Sequence, residues 1–170
     1  LWIADDEPKP YQSWGNGAAM RISAVGFLAR TEQEATDWAD YFTVVTHDQE
    51  DAIAGARAVS LAIYWARHQI DATEIANRLT ERFGYDLKQT PDAIRSTYKH
   101  TESSAGSVPQ AIACALQSTS YEDALRNAVS IGGDSDTIAA IAGSIAEALH
   151  GIPEDIRDKG ISYLSEDMKS

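Results

Sequence analysis

The 170 residues, 44% of them apolar, suit one domain, which at this length buries roughly 70% of the surface its unfolded chain exposes. Lys and Arg number 14 against 26 Asp and Glu, a formal net charge of −12, which argues against a nucleic-acid partner because that needs a basic face. The single Cys114 excludes an internal disulfide, and no apolar run approaches the ~20 residues of a membrane span, so no membrane partner is expected and the cytoplasm is the default location.

Residues 1–12 hold Pro8 and Pro10 in polar surroundings and are expected to form an extended, loosely held leader. Trp14-Gly-Asn-Gly17 reads as a loop, because Asn and Gly tolerate left-handed backbone. It feeds a helix expected over 18–29, with Ala18, Ile22, Val25 and Ala29 on one face. A glycine loop at a helix start suits a diphosphate. Arg21 offers either a phosphate contact or a salt bridge, and Trp14 either a stacking face for adenine or a packing anchor. Thr31-Glu-Gln-Glu34 is a capping box, opening a helix whose expected buried stripe is Ala35, Trp38, Ala39 and Phe42. Thr46-His-Asp-Gln49 reads as a second capping box. Asp48, Glu50 and Asp51 then crowd a first turn, where carboxylates favour the helix dipole. The helix that follows should run to about His68 and bury Ala54, Ala58, Leu61, Ala62 and Trp65. Its length and alanine-rich face mark it as the central helix. From its position alone, His47 at its start reads as structural or solvated.

Asp71-Ala-Thr-Glu74 starts a helix with Ile75, Leu79 and Phe83 inward and Gly84 as its stop. Thr90-Pro-Asp92 starts a shorter one, packing Ile94 and Tyr98. Residues 99–106 read as a polar loop, in which His100 and Glu102 have no further metal-ligand partner in sequence. Ser107-Val-Pro-Gln110 is expected to open a helix through Leu116. Cys114 sits in that apolar run and reads as a buried, inert thiol. Ser120-Tyr-Glu-Asp123 opens a helix through about Ala128, and Pro153 a final one with Ile156, Tyr163 and Leu164 as candidate core. No stretch shows sustained period-two alternation. Some eight capped helices with short connections imply an all-α bundle.

The chain is organised around Ser130-Ile-Gly-Gly-Asp-Ser-Asp-Thr137. Two glycines permit a sharp turn. Asp134, Asp136 and Thr137 then cluster three hard oxygen donors where a loop becomes a helix, a set that suits Mg²⁺ or Mn²⁺ and not zinc. The same residues at a helix start also read as an ordinary N-cap. In the helix beyond, Gly143 costs about 1 kcal/mol relative to Ala, which points to close approach by another element.

The wider stretch from Ser130 to Gly143 resembles the C-terminal metal motif of the ADP-ribosylglycohydrolase family, of the dinitrogenase-reductase-activating type. Ser13-Trp-Gly-Asn-Gly-Ala-Ala-Met-Arg21, Thr46-His-Asp-Gln-Glu-Asp-Ala52 and Val108-Pro-Gln-Ala-Ile112 resemble the same family in the same order. The resemblance covers essentially the whole chain. It implies an orthogonal helical bundle of the ADP-ribosylglycohydrolase type, spanning 1–170 as one domain, and a metal-dependent hydrolase that removes ADP-ribose from modified side chains. It implies Asp134, Asp136 and Thr137 as metal ligands, the two carboxylates being catalytic through the metal. Trp14, Gly15, Asn16, Gly17 and His47 are implied as substrate contacts, and ADP-ribose or an ADP-ribosylated protein as partner. In the family two Mg²⁺ or Mn²⁺ ions hold the ribose hydroxyls. Only one edge of that site is legible here, since the Thr-Asp-Asp or Ser-Asp-Asp motif expected earlier in the chain has no counterpart before Ser13. Asp5-Asp6-Glu7 is acidic but lies where the family has a connection. The expectation is therefore an N-terminally truncated family fold, a fragment or a shortened member. An ADP-ribose-binding protein without catalysis, and a crystallin-like structural protein, are the alternatives.

Overall fold

The computed structural model describes residues 7–169. Asp5, Asp6 and the first half of the expected leader lie outside them. Among the described residues ten α-helices follow in order: α1 (Gly17–Met20), α2 (Ser23–Leu28), α3 (Glu32–Thr43), α4 (Glu50–Arg67), α5 (Ala72–Phe83), α6 (Pro91–Thr97), α7 (Ser104–Leu116), α8 (Tyr121–Ser130), α9 (Ser135–His150) and α10 (Glu154–Ser162), with a short 3₁₀ turn at Glu166–Met168. Among the described residues there is no strand, and the all-α expectation holds.

The helix starts are fixed by short polar side chains. Thr31, Asp71, Thr90, Ser103 and Ser120 each accept a hydrogen bond from the backbone N–H three residues on, satisfying a donor that the helix leaves free. In the box at Thr31 the return bond shifts by one residue, because Glu34 accepts from the Arg30 N–H at 2.8 Å.

The central helix is α4. Ala52, Ala56, Ala58, Val59, Leu61, Ala62 and Ile63 are fully buried, while Ala54 is only half-buried. Helices α1, α2, α3, α5, α7 and α9 all pack on it. Small residues permit this crowding. A Cβ on Gly55 would collide with Ser104 Oγ of α7, so α4 and α7 touch backbone to side chain. The close approach expected at Gly143 is made by α8, since a Cβ there would stand 3.0 Å from Leu125 Cδ2. Cys114 is fully buried, and burial pushes its thiol pKa up to about 12, which leaves it inert.

Several expectations give way to tertiary demands. The helix expected over 18–29 breaks at Arg21 and Ile22. The inward residues Ala18, Ile22, Val25 and Ala29 are all buried as expected. However, α1 packs on α4, α7 and α9, whereas α2 packs on α4, α3 and α9, and the break lets each follow its own neighbours. Helix α7 begins at Ser104, three residues before Ser107, because Ser103 caps it; Pro109 therefore lies inside the helix at the cost of one backbone bond. Helix α8 runs on to Ser130. The leader is held at Tyr11, whose N–H donates to Thr46 O at 3.4 Å. In α10 no residue is buried, and Tyr163 and Leu164 are exposed, not core.

The expected stripe of α3 is half right. Ala35 and Ala39 are buried, but Phe42 is 52% exposed and Trp38 also reaches solvent. Together with Ile22, Val25, Leu28 and Tyr41 they line an open apolar groove of about 810 Å³ between α2 and α3.

Candidate active site

The loop at 14–17 is held against residues 102–104 by its backbone. The Asn16 N–H donates to Glu102 O and the Ser104 N–H to Trp14 O, both at 2.9 Å, and Gly15 bridges to Ser103. Asn16 itself is 6% exposed. Its side-chain amide donates one hydrogen to Asp134 Oδ2 at 2.6 Å and the other to Ser107 Oγ at 3.0 Å. Ser107 in turn donates to Ser103 O at 2.7 Å, so its oxygen is turned to accept. One buried amide thus ties the glycine loop, the start of α7 and the aspartate loop together.

The aspartate loop turns at Gly132 and Gly133, with φ of +77° and +68°, backbone that residues with a Cβ rarely adopt. At Gly133 space adds a second constraint, because a Cβ would meet the Tyr98 ring at 2.5 Å. The Tyr98 hydroxyl is buried without a hydrogen-bond partner. Burial and, secondarily, the Asp134 charge push its pKa up.

Asp134 does not cap α9; its carboxylate reaches Asn16 instead. Asp136 partly takes the capping role. The Thr137 N–H, then the Asp134 carboxyl, then its own N–H hold the Asp136 pKa below the usual carboxylate range. The Thr137 hydroxyl points to Met20 Sδ of α1 at 3.8 Å. The two carboxyls stand side by side in hydrogen-bond contact. With the adjacent hydroxyl they fit a hard ion on oxygen chemistry. They supply one edge only, since among the described residues no cluster of three or more His, Cys, Asp or Glu has metal-holding geometry. His100, set aside in the sequence, lies at this edge: its Cα is 3.4 Å from a Cβ placed on Gly133, and its ring faces Glu102 at 3.7 Å.

His47 lies beneath the glycine loop. It is 5% exposed, and its Nε2 stands 3.3 Å from a Cβ placed on Gly17. Thr46 does not cap α4, whose N-cap is Gln49 without a side-chain bond. Its hydroxyl accepts from Arg21 Nη2 at 2.5 Å and pairs with His47 Nδ1 at 2.7 Å. The hydroxyl is thus shared between Arg21 and His47 Nδ1, and Nε2 faces the loop. Arg21 is engaged by this hydroxyl and forms no ion pair among the described residues.

Burial first, then the Arg21 charge, lower the His47 pKa. The folded chain therefore refuses a proton that the unfolded chain accepts near roughly 6.5. Stability should fall as pH drops through that value, and level off only when native His47 also protonates. Denaturant midpoints between pH 7.5 and 5.5 check this: His47→Gln should flatten that part of the profile, and an unchanged profile would assign the loss to other groups.

A family model described as ADP-ribosylglycohydrolase matches residues 2–166. The chain belongs to the ADP-ribosylglycohydrolase family. It is 26% identical over 205 residues to the human (Homo sapiens) protein named ADP-ribosylhydrolase ARH3, covering 92% of this chain and 56% of that one. It is 26% identical over 148 residues to ADP-ribosylarginine hydrolase Tri1 of Pseudomonas putida, covering 81% of this chain and 39% of that one. An uncharacterised Escherichia coli protein, YegU, is 34% identical over 170 residues, covering 81% of this chain and 50% of that one. The chain thus spans about half the length of the curated relatives it matches. A solved structure titled ADP-ribosylglycohydrolase-related protein complex superposes with a TM-score of 0.71 at 19% identity, covering 99% of this chain and 62% of that one. That likeness shows the fold.

Within this family fold the residues singled out from sequence fall into two groups. Gly15, Asn16 and Asp134 lie on facing loops, Gly17 opens α1, Asp136 and Thr137 stand in the first turn of α9, and His47 packs under the glycine loop. Trp14 is 56% exposed, so its ring is not a packing anchor and is open to a planar ligand. Ser107 and Tyr98 went unremarked as site residues. Ser107 looked like the start of a helix, and nothing in spacing could tie it to an asparagine 91 residues away.

Proposed function

We propose that this chain is the ADP-ribose-binding part of a hydrolase that removes ADP-ribose from modified side chains. The observation that supports the reading is the Asn16–Asp134 bond, which sets the glycine loop beside Asp134 in a member of this family. The loop from Gly15 to Gly17, at the start of α1, would border the diphosphate, the Asn16 N–H being committed to Glu102 O. Trp14 would stack on adenine, and His47 would support the loop from beneath. Asp134, Asp136 and Thr137 would hold Mg²⁺ or Mn²⁺, which when bound orients the ribose hydroxyls and makes water more acidic. In the reaction water adds to the ribose C1, the bond from C1 to the side-chain heteroatom breaks, and that atom leaves with a proton. ADP-ribose or an ADP-ribosylated protein is the partner. Among the described residues no helix is long and apolar enough to cross a membrane.

A second reading, binding without catalysis by this chain, is favoured by one observation: the cation edge has no opposing carboxylates among the described residues. Calorimetry with ADP-ribose tests what both readings share. Trp14→Ala and His47→Ala should each weaken binding by about tenfold, the effect of losing one stacking contact or one well-placed support of roughly 1–3 kcal/mol. A parent chain that does not bind ADP-ribose, or variants that bind like the parent, would remove the pocket assignment. Release of free ADP-ribose with Mn²⁺ present then separates the two readings.

A further inference from the structure

We propose that Asn16 is a positioning residue for Asp134, and that through it the glycine loop and the cation edge move as one unit. The inference deepens the function above, because it assumes that Asp134 is a cation ligand. Asn16 is the residue in the glycine loop with a carboxamide, and that carboxamide does not face outward. It is more than nine-tenths buried, and both its hydrogens are spent on the protein, one on Asp134 and one on Ser107. Its backbone N–H is spent as well, on Glu102 O. A group with every donor committed internally is a poor substrate contact and a good strut.

What it fixes is specific. Asp134 precedes α9, and its side chain accepts from none of that helix's free backbone N–H groups. Gly132 and Gly133 before it give the loop little intrinsic preference. Its local contact is the carboxyl of Asp136, itself exposed, so the local sequence gives this carboxylate no fixed anchor. The Asn16 amide supplies one, by holding Oδ2 at 2.6 Å. A hydrogen bond of this kind from outside the ligand set orients a metal-binding carboxylate, and its loss typically costs about 10–100-fold in metal affinity. The same bond acts in reverse. An ion that pins Asp134 must also pin Asn16, and with it the backbone of Gly15 and Gly17. The chain thereby has a physical route by which cation binding stiffens the nucleotide loop before any nucleotide arrives.

The test uses Mn²⁺ alone as probe, with ADP-ribose absent. In the parent, the Asn16 side-chain NH₂ protons should exchange slowly with water by NMR, and Mn²⁺ binding, read by electron paramagnetic resonance, should slow exchange of the Gly15 and Gly17 amides. Asn16→Ala should weaken Mn²⁺ binding about tenfold or more. Ser107→Ala, which removes only the other partner of the amide, should lower the melting temperature but leave Mn²⁺ affinity within about twofold of the parent. That contrast is one a merely structural role for Asn16 would not produce. The exchanged pair Asn16→Asp with Asp134→Asn rebuilds the cross-loop hydrogen bond with donor and acceptor swapped. It should recover thermal stability but not Mn²⁺ binding. Fast exchange of the Asn16 NH₂ protons, or Mn²⁺ affinity unchanged in a folded Asn16→Ala, would overturn the inference. Failure of the parent to bind ADP-ribose would count against the proposed function and leave these results standing; failure to bind Mn²⁺ would remove the cation from both, and the strut would then be judged on proton exchange alone.

Discussion

Asp136→Asn should eliminate measurable Mn²⁺ binding by this chain and leave its far-UV circular dichroism unchanged. In the polypeptide that carries the activity it should cut release of ADP-ribose by about 10²–10³-fold, because a bound cation contributes several kcal/mol to the transition state and each ~1.4 kcal/mol is tenfold in rate. The reason lies in the loop. Asp136 is exposed and contributes nothing to the core, so its removal tests chemistry and not folding. Its carboxyl is held below the usual carboxylate range by the Thr137 N–H, by the Asp134 carboxyl and by its own N–H. The 170-residue chain by itself is expected to bind at most one divalent ion and to hydrolyse ADP-ribosyl-arginine poorly or not at all. Asp134, Asp136 and Thr137 offer three oxygen donors, and Mg²⁺ wants near-octahedral coordination. Robust turnover by this chain would show that some other group completes the site. Full activity in Asp136→Asn would remove the aspartate loop from the mechanism.

The second large effect is on stability. Leu61 stands fully buried near the middle of α4, on the helix that six others pack against. Leu61→Ala should cost about 2–5 kcal/mol, the sum of lost transfer energy and the cavity left behind. At this size each kcal/mol moves the melting temperature by about 2–4 °C. Phe42→Ala removes a larger side chain, yet should cost little, within about 0.5 kcal/mol, since Phe42 is 52% exposed in the groove between α2 and α3. Thermal unfolding of the two variants side by side decides the matter. Equal losses would mean that Phe42 is covered in solution by something packed on that groove.

The sequence determined the helices themselves and most of their starts. Thr31, Asp71, Thr90 and Ser120 were legible because a cap and the backbone donor it serves lie three residues apart. The inward faces at Ala18, Ile22, Val25 and Ala29, and at Ile75 and Leu79, were legible because helical period is local too. The oxygen donors of Asp134, Asp136 and Thr137 stood together in one loop, and the family could be read from ordered motifs.

Only the tertiary structure decided what those elements face. Trp38 and Phe42 share the helical period of Ala35 and Ala39, but a period gives a stripe and not the width of the neighbour that covers it. Thr46 had the spacing of a cap, yet its hydroxyl serves Arg21 and His47, because a side-chain oxygen goes to the donor that folding brings nearest. Asp134 looked like an N-cap and is instead held by Asn16, 118 residues earlier in the chain. That bond depends on α1 and α9 being packed side by side, and no local pattern carries the information, because the energy that brings the two loops together is the burial of the helices behind them.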